Sequence, residues 1–333
     1  MYTDIPVLLS VLFVLGGLFV LAKSADVFVD GAAAVAKFYG VPSFIVGMLI
    51  IGFGTSFPEL CVSVLSSSAG YSSLSFGNAF GSCIFNIAAI LGIAALIRPI
   101  SISRSTVLFG APMLIGIALL QYLFLRNGGY SRVDGIVAFL CFCVILPVYC
   151  WYEKRETAPV AEEEKQDAAD RSAIVKSFAT LVAGLVLLVS SSHILVWGCV
   201  DIARALNVSE LLIGLTVVAI GTSLPELASA IAAARKNEHE LVVGNIVGSN
   251  LFNTLAVVGI AGTIQPFEKL SKFAVLRDVP VTVIVSAILI LVGVNWKNFK
   301  KPGIINRFEG FCFVVFFAVY LAVMAYQELF FAK

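Results

Sequence analysis

The sequence predicts an all-α membrane protein: ten transmembrane helices arranged as two inverted five-helix repeats. Three observations carry that expectation. Hydrophobic residues make up 59% of the 333 and charged residues only 13%, against roughly 45–50% and 25% in a soluble domain. The apolar runs approach the ~20 residues that a helix needs to cross a ~30 Å hydrocarbon core, whereas barrel strands would be shorter and alternating. A polar motif inside one of those runs recurs in the second half of the chain.

Taken in order, hydropathy places helices near 5–30, 42–67, 74–97, 104–126 and 132–152, then near 173–198, 209–235, 240–264, 274–296 and 304–330. The first run lacks the basic residues that open a secretory signal, Asp4 being the only early charge, so it reads as a retained helix. Residues 1–152 are the first repeat, 153–172 a charged linker and 173–333 the second repeat. Glu162, Glu163 and Glu164 in the linker, with Lys154, Arg155 and Lys165, mark a solvated stretch. Cys61, Cys83, Cys141, Cys143, Cys150, Cys199 and Cys312 form no CxxC and read as small hydrophobes in packed helices. A formal net charge of +1 gives no reason to expect a nucleic-acid partner.

The repeat is specific. Gly54-Thr55-Ser56-Phe57-Pro58-Glu59 returns 167 positions later as Gly221-Thr222-Ser223-Leu224-Pro225-Glu226. The same offset lays Gly77-Asn78 and Gly81-Ser82-Cys83-Ile84-Phe85-Asn86 on Gly244-Asn245 and Gly248-Ser249-Asn250-Leu251-Phe252-Asn253, and Pro99 on Pro266. After a shift of eight, Arg132-Val133-Asp134-Gly135 matches Arg307-Phe308-Glu309-Gly310. Five helices per half is an odd number, so the second half enters the bilayer from the opposite side. Inverted halves are a recurring transporter plan with the substrate near the midplane. Most of the lysines and arginines, including Lys23, Lys37, Arg98, Arg104, Lys154 and Arg155, fall on one side if the amino terminus is outside. The linker is therefore expected in the cytoplasm and both termini outside.

An ionisable group at bilayer depth costs roughly 2.5–3.5 kcal/mol on insertion scales, so Glu59 and Glu226 are functional candidates by default. Thr55 and Glu59, four apart, share one helix face. Pro58 cannot bond the Gly54 carbonyl, so a kink is expected there. Ser82 with Asn86 and Ser249 with Asn253 repeat the spacing of four. Gly77, Gly81, Gly244 and Gly248 form small-xxx-small pairs for close helix approach. Oxygen ligands with two carboxylates suit Ca²⁺, which takes six to eight oxygens; two ionised glutamates would balance one Ca²⁺. Monovalent cations could occupy the same oxygens in the alternate state, which is the logic of an exchanger. Isolated serines such as Ser63 and Ser190 are instead expected to bond their own helix carbonyls. His193 reads as a polar contact within its helix, His239 as a loop residue, and Asp26 and Asp30 as interfacial.

The paired words GTSxPE and GNxxGSxxFN resemble the alpha repeats of the cation/calcium antiporter superfamily, most of all the prokaryotic sodium/calcium exchangers. That resemblance covers nearly the whole chain and implies a prokaryotic inner membrane as its location. It implies a core of the second, third, seventh and eighth helices around the cation sites, with the first and sixth sliding across it. By motif position it implies Thr55, Ser56, Glu59, Ser82 and Asn86 as ligands from one half, and Thr222, Ser223, Glu226, Ser249 and Asn253 from the other. Carbonyls of Gly52 and Ala219 would add to Na⁺ sites, and both glutamates would bind Ca²⁺ with carbonyl oxygens of Thr55 and Thr222. Some members carry Asp where Asn253 stands, which leaves Na⁺ or H⁺ open as counter-ion. Cys83 replaces the Asn that Asn250 keeps and is expected to pack.

The expected function is thus Ca²⁺/Na⁺ antiport by a chain functional as a monomer in the lipid bilayer, with no enzymatic activity and no cofactor besides the transported ions. Ca²⁺/H⁺ exchange, with the glutamates taking protons, is the alternative of the same class. A cation channel would use the same oxygens. A serine hydrolase built on Ser56 or Ser223 with His193 leaves the glutamates and the duplication unexplained.

Overall fold

The computed structural model describes residues 7–126, 129–161, 171–206, 219–267, 270, 274–299 and 301–331. Helix α1 spans Val7–Tyr39, well past the expected end near residue 30. Hydropathy sees only the part that meets lipid, whereas Ala32, Ala33, Ala34 and Ala36 continue the helix by propensity. The chain then turns through Gly40, whose φ of 58° is the left-handed conformation that glycine adopts readily. A broken helix follows, Ser43–Thr55 (α2) and Phe57–Ser68 (α3), bent by 43°. Helix α4 runs from Ser72–Ile84 through Phe85–Ile90 to Leu91–Ile97. Thr106–Leu125 is α5 and Arg132–Ala161 is α6. Helix α6 passes its expected end at 152 because Glu153, Lys154 and Arg155 are good helix formers that no hydropathy window detects.

The second half holds α7, Arg171–Ala205, α8, described over Ala219–Thr222, and α9, Leu224–Arg235. It continues with α10, His239–Ile264, and α11, Val275–Gly293, and ends with α12, Arg307–Phe331. Eight described helices are long and apolar enough to cross a membrane, or nine when α2 and α3 count as one span. Residues 209–218 of the expected seventh span lie outside the described residues, as do Glu162, Glu163 and Glu164. His239 opens α10 rather than lying in a loop.

Two extended segments join the halves. Ile100–Ile102 (β1) pairs antiparallel with Gly303–Ile305 (β2), Ile100 opposite Ile305. Tyr130 and Phe267 make a second antiparallel bridge, and they stand at the matching positions of the repeat. Arg132 reaches the carbonyl of Ile264 at 3.4 Å, and Arg307 that of Ile97 at 3.4 Å. Asp134 caps the N–H of Ser131 and Glu309 that of Asn306. None of this pairing was expected, because residues 304 and 305 read as the start of the last helix.

The interior is built from α4 and α10, with α10 buried along its whole apolar length. Helices α1, α6, α7 and α12 turn large apolar side chains outward, among them Leu8, Phe19, Leu140, Phe178 and Phe311, as lipid-facing helices must. Long helices α1 and α7 pack on each other through four glycines. A Cβ at Gly17 or Gly31 would meet Leu195 or Leu181, and one at Gly184 or Gly198 would meet Phe28 or Val14. Gly17 and Gly184, like Gly31 and Gly198, are one repeat offset apart. At the edge of α1, Asp30 pairs with Lys236 at 2.6 Å, both partly exposed, where such a bridge contributes little.

Gly244 and Gly248 let α10 press against the backbone of Phe44 and Met48 in α2. The residues that stand in the same relation to Gly77 and Gly81, 211 and 215, lie outside the described residues. At Gly248 an added Cβ would collide with Met48 backbone, whereas at Gly116 it would meet nothing within 4 Å. Gly248→Ala is expected to destabilise the purified protein by about 1–3 kcal/mol, and Gly116→Ala to leave it equal or slightly more stable. Thermal unfolding in detergent checks the pair.

Candidate cation site

Both GTSxPE motifs sit at helix breaks. Helix α2 ends at Thr55, Ser56 leaves the helical path with φ −84° and ψ 6°, and α3 starts at Phe57. Ser223 does the same between α8 and α9 with φ −94° and ψ 10°. The expected kink at Pro58 is therefore a full break two residues earlier. Pro58 and Pro225 stand in the first turn of a new helix, where the missing N–H has no intrahelical partner to lose. The break also places Glu59 and Glu226 in a helix's first turn, where free N–H groups and the helix dipole favour negative charge.

The two halves then bond crosswise. Ser56 Oγ donates to Glu226 Oε1 at 2.7 Å, and Ser223 Oγ donates to Glu59 Oε1 at 2.8 Å. Thr55, Ser56, Glu59, Ser82 and Asn86 are all buried, as are Thr222, Ser223, Glu226, Ser249 and Asn253. Ser223 also lies 3.2 Å from Ser82 Oγ. Thr55 donates to the Ile51 carbonyl at 2.9 Å, the bond within its own helix that was expected only of isolated hydroxyls; the oxygen keeps lone pairs for a cation. Gly52 ends the first part of α2 at a close approach to α10. Its carbonyl accepts from Ser56 N at 3.1 Å and Ser249 Oγ at 3.3 Å. Ala219 is the first described residue of α8.

Asn86 and Asn253 each lie in a wider, π-helical turn, Phe85–Ile90 and Phe252–Val257, one repeat offset apart. Such turns inside α-helices recur at functional sites, and no residue type announces them. Among the described residues, Glu59 Oε2, Glu226 Oε2, Asn86 Oδ1 and Asn253 Oδ1 have no hydrogen-bond partner. Buried acceptors of this kind are rarely left unpaired. Buried carboxylate and amide oxygens left without a donor fit hard cations as cargo.

Sequence reasoning passed over Asn78 and Asn245. Asn78 Nδ2 donates to the Glu59 carbonyl at 3.1 Å and Ser63 Oγ at 2.9 Å. Asn245 Nδ2 donates to the Glu226 carbonyl at 3.4 Å and Ser229 Oγ at 3.3 Å. Each holds the helix that carries a glutamate, and their place in both GNxxGS words was the available signal. Ser63 donates to Ser75 O at 3.3 Å rather than to its own helix. Ser56 and Ser223 have glutamate partners, and His193 is exposed on α7, so the hydrolase arrangement is not assembled.

Comparison with known proteins gives a consistent set. The profile of the family described as sodium/calcium exchanger protein matches residues 9–151 and 176–326. Inner membrane protein YrbG of Escherichia coli is 34% identical over 321 residues, covering 95% of this chain and 97% of that protein. Sodium/calcium exchanger MaX1 of Methanosarcina acetivorans is 27% identical over 351 residues, covering 95% and 98%. The solved structure of the sodium-calcium exchanger NCX_Mj, soaked with Na⁺ and Sr²⁺, superimposes with a TM-score of 0.79 at 30% identity over 95% of this chain and 99% of that one.

The crosswise bonds predict a particular coupling. Ser56→Ala and Glu226→Gln should be non-additive in thermal stability by about 1 kcal/mol, and Ser223→Ala with Glu59→Gln likewise. Ser56→Ala with Glu59→Gln should show the smaller coupling. A double-mutant cycle on the purified protein measures all three.

Proposed function

The chain belongs to the sodium/calcium exchanger protein family, and from that premise we propose that it is a secondary active antiporter exchanging Ca²⁺ for Na⁺ by alternating access. The observation that carries this reading is the crossed clamp on two buried carboxylates, each with an oxygen uncommitted among the described residues. The protein is an integral membrane protein of helical spans. Its ten-helix plan in two inverted halves is supported by contacts that recur at the repeat offset, from the α1–α7 glycines to the bridges at Ile100–Ile305 and Tyr130–Phe267.

In this reading Glu59 and Glu226 neutralise one Ca²⁺, and Thr55, Ser82, Asn86 and their counterparts Thr222, Ser249 and Asn253 complete an oxygen shell. Na⁺ ions take the same oxygens, with the Gly52 and Ala219 carbonyls, when Ca²⁺ leaves. Mutual exclusion couples the two fluxes: a cation that neutralises the carboxylates removes the charge that would bind the other. The relative named as a sodium/calcium exchanger and the solved exchanger soaked with Na⁺ and Sr²⁺ support that cargo. All the candidate ligands come from one chain, so a monomer suffices. The basic-residue asymmetry puts the central linker in the cytoplasm and both termini outside, and the Escherichia coli relative named as an inner membrane protein supports that membrane.

Proteoliposomes test the reading. An outward-directed Na⁺ gradient at constant pH should drive Ca²⁺ uptake, and Glu59→Gln or Glu226→Gln should abolish it. Uptake driven by a pH gradient without Na⁺ would make protons the counter-ion, and Ca²⁺ flux indifferent to both gradients would indicate a channel. Exchange at the wild-type rate in either glutamine variant would remove these carboxylates from the site.

A further inference from the structure

The words Gly81-Ser82-Cys83 and Gly248-Ser249-Asn250 differ at their last position, and the two residues meet in the interior. Cys83 Sγ donates to the Asn250 carbonyl at 3.8 Å, which also accepts from Thr254 Oγ1 at 2.6 Å. The Asn250 side chain does something its counterpart cannot. Its Oδ1 accepts from Asn86 Nδ2 at 3.1 Å, which commits the nitrogen of that amide and leaves Asn86 Oδ1 uncommitted among the described residues. Asn253 is the repeat counterpart of Asn86, and the residue in the anchoring place is then Cys83. A thiol is a weak acceptor, and among the described residues neither Nδ2 nor Oδ1 of Asn253 has a partner. Both asparagines and Cys83 are buried, so water does not level the difference.

We propose that Asn250 is a positioning residue that fixes the amide of Asn86 with its oxygen toward the cation, and that Cys83 leaves Asn253 free to turn. The two halves of a nearly symmetric site thereby become unequal. Asn86 is a preorganised oxygen ligand whose rotamer freedom is lost before binding. Asn253 is adaptable: its unanchored amide turns Oδ1 to a cation only as one binds. This rests on the cation-exchange reading above and adds to it an order of roles among the ligands.

The test uses the purified full chain and Ca²⁺ itself, reading thermal stabilisation across a Ca²⁺ titration so that no transport is needed. Asn250→Cys removes the anchor and is expected to weaken half-saturation about fivefold, the factor for one net hydrogen bond. The swap Cys83→Asn with Asn250→Cys moves the anchor to Asn253 and should return half-saturation to within about threefold of wild type. Cys83→Asn alone, which anchors both amides, should tighten it. Half-saturation within about twofold of wild type in Asn250→Cys, or a swap as weak as the single variant, overturns the proposal. If Asn250→Cys does not fold, Cys83→Asn decides by itself: unchanged or weakened Ca²⁺ binding overturns it. Wild-type protein indifferent to Ca²⁺ would overturn the exchange reading and this inference together, whereas Ca²⁺ stabilisation that is equal in all variants overturns only the positioning role.

Discussion

Two carboxylates buried in the core of a membrane protein are the constraint on which the rest of the structure depends. Carrying an ionisable group to bilayer depth costs roughly 2.5–3.5 kcal/mol on insertion scales, and no single feature of this chain offsets that alone. Helix breaks at Ser56 and Ser223 bring each glutamate to a helix start, and a serine from the opposite half then bonds it. Neither half completes its own clamp. The candidate site therefore lies where the halves meet, and whatever holds them in register also holds the clamp.

That register comes from close backbone packing more than from side-chain bulk. In lipid the hydrophobic effect does not drive one helix onto another, so small residues that let backbones touch do much of the work. Gly244 and Gly248 seat α10 against α2, next to Gly52, whose carbonyl accepts from Ser249. The four glycines between α1 and α7 bind the two long helices into a pair, while the bridges at Ile100–Ile305 and Tyr130–Phe267 tie the halves at their ends. Asn78 and Asn245 then fasten α3 and α9 to α4 and α10, so the helices that carry the glutamates are pinned by amides drawn from the other repeated word.

Much of this was legible before the structure. Spans α4 and α10 agree with hydropathy to within a residue or two at each end, because Gly70 and Arg98-Pro99 bound the one apolar run and Asn237-Glu238 and Gln265-Pro266 the other. Helices α1 and α6 were read short because their last turns are polar or alanine-rich, and helix propensity continues where hydropathy stops. Pro58 and Pro225 signalled a disturbance, yet a proline is equally compatible with a kink and with the first turn of a fresh helix, and only backbone geometry distinguishes them. Thr55 and Ser63 exchanged expectations: the repeated hydroxyl bonds its own helix, and the isolated one reaches across to α4. Hydrogen-bond choice of this kind depends on which neighbour lies within about 3 Å, and linear spacing does not contain that information.

By itself the sequence determined that this is a helical membrane protein, that its polar residues come in two copies 167 positions apart, and that Glu59 and Glu226 need a reason to be buried. Composition, run length and internal repetition are properties of order along the chain, so they survive without coordinates. Only the tertiary structure decided that the partner of each glutamate is the serine of the other copy, and that the amide nitrogen of Asn86 bonds the side chain of Asn250. Those are relations between residues more than 160 positions apart. They follow from how two broken helices cross, a matter of packing that the one-dimensional repeat leaves undetermined.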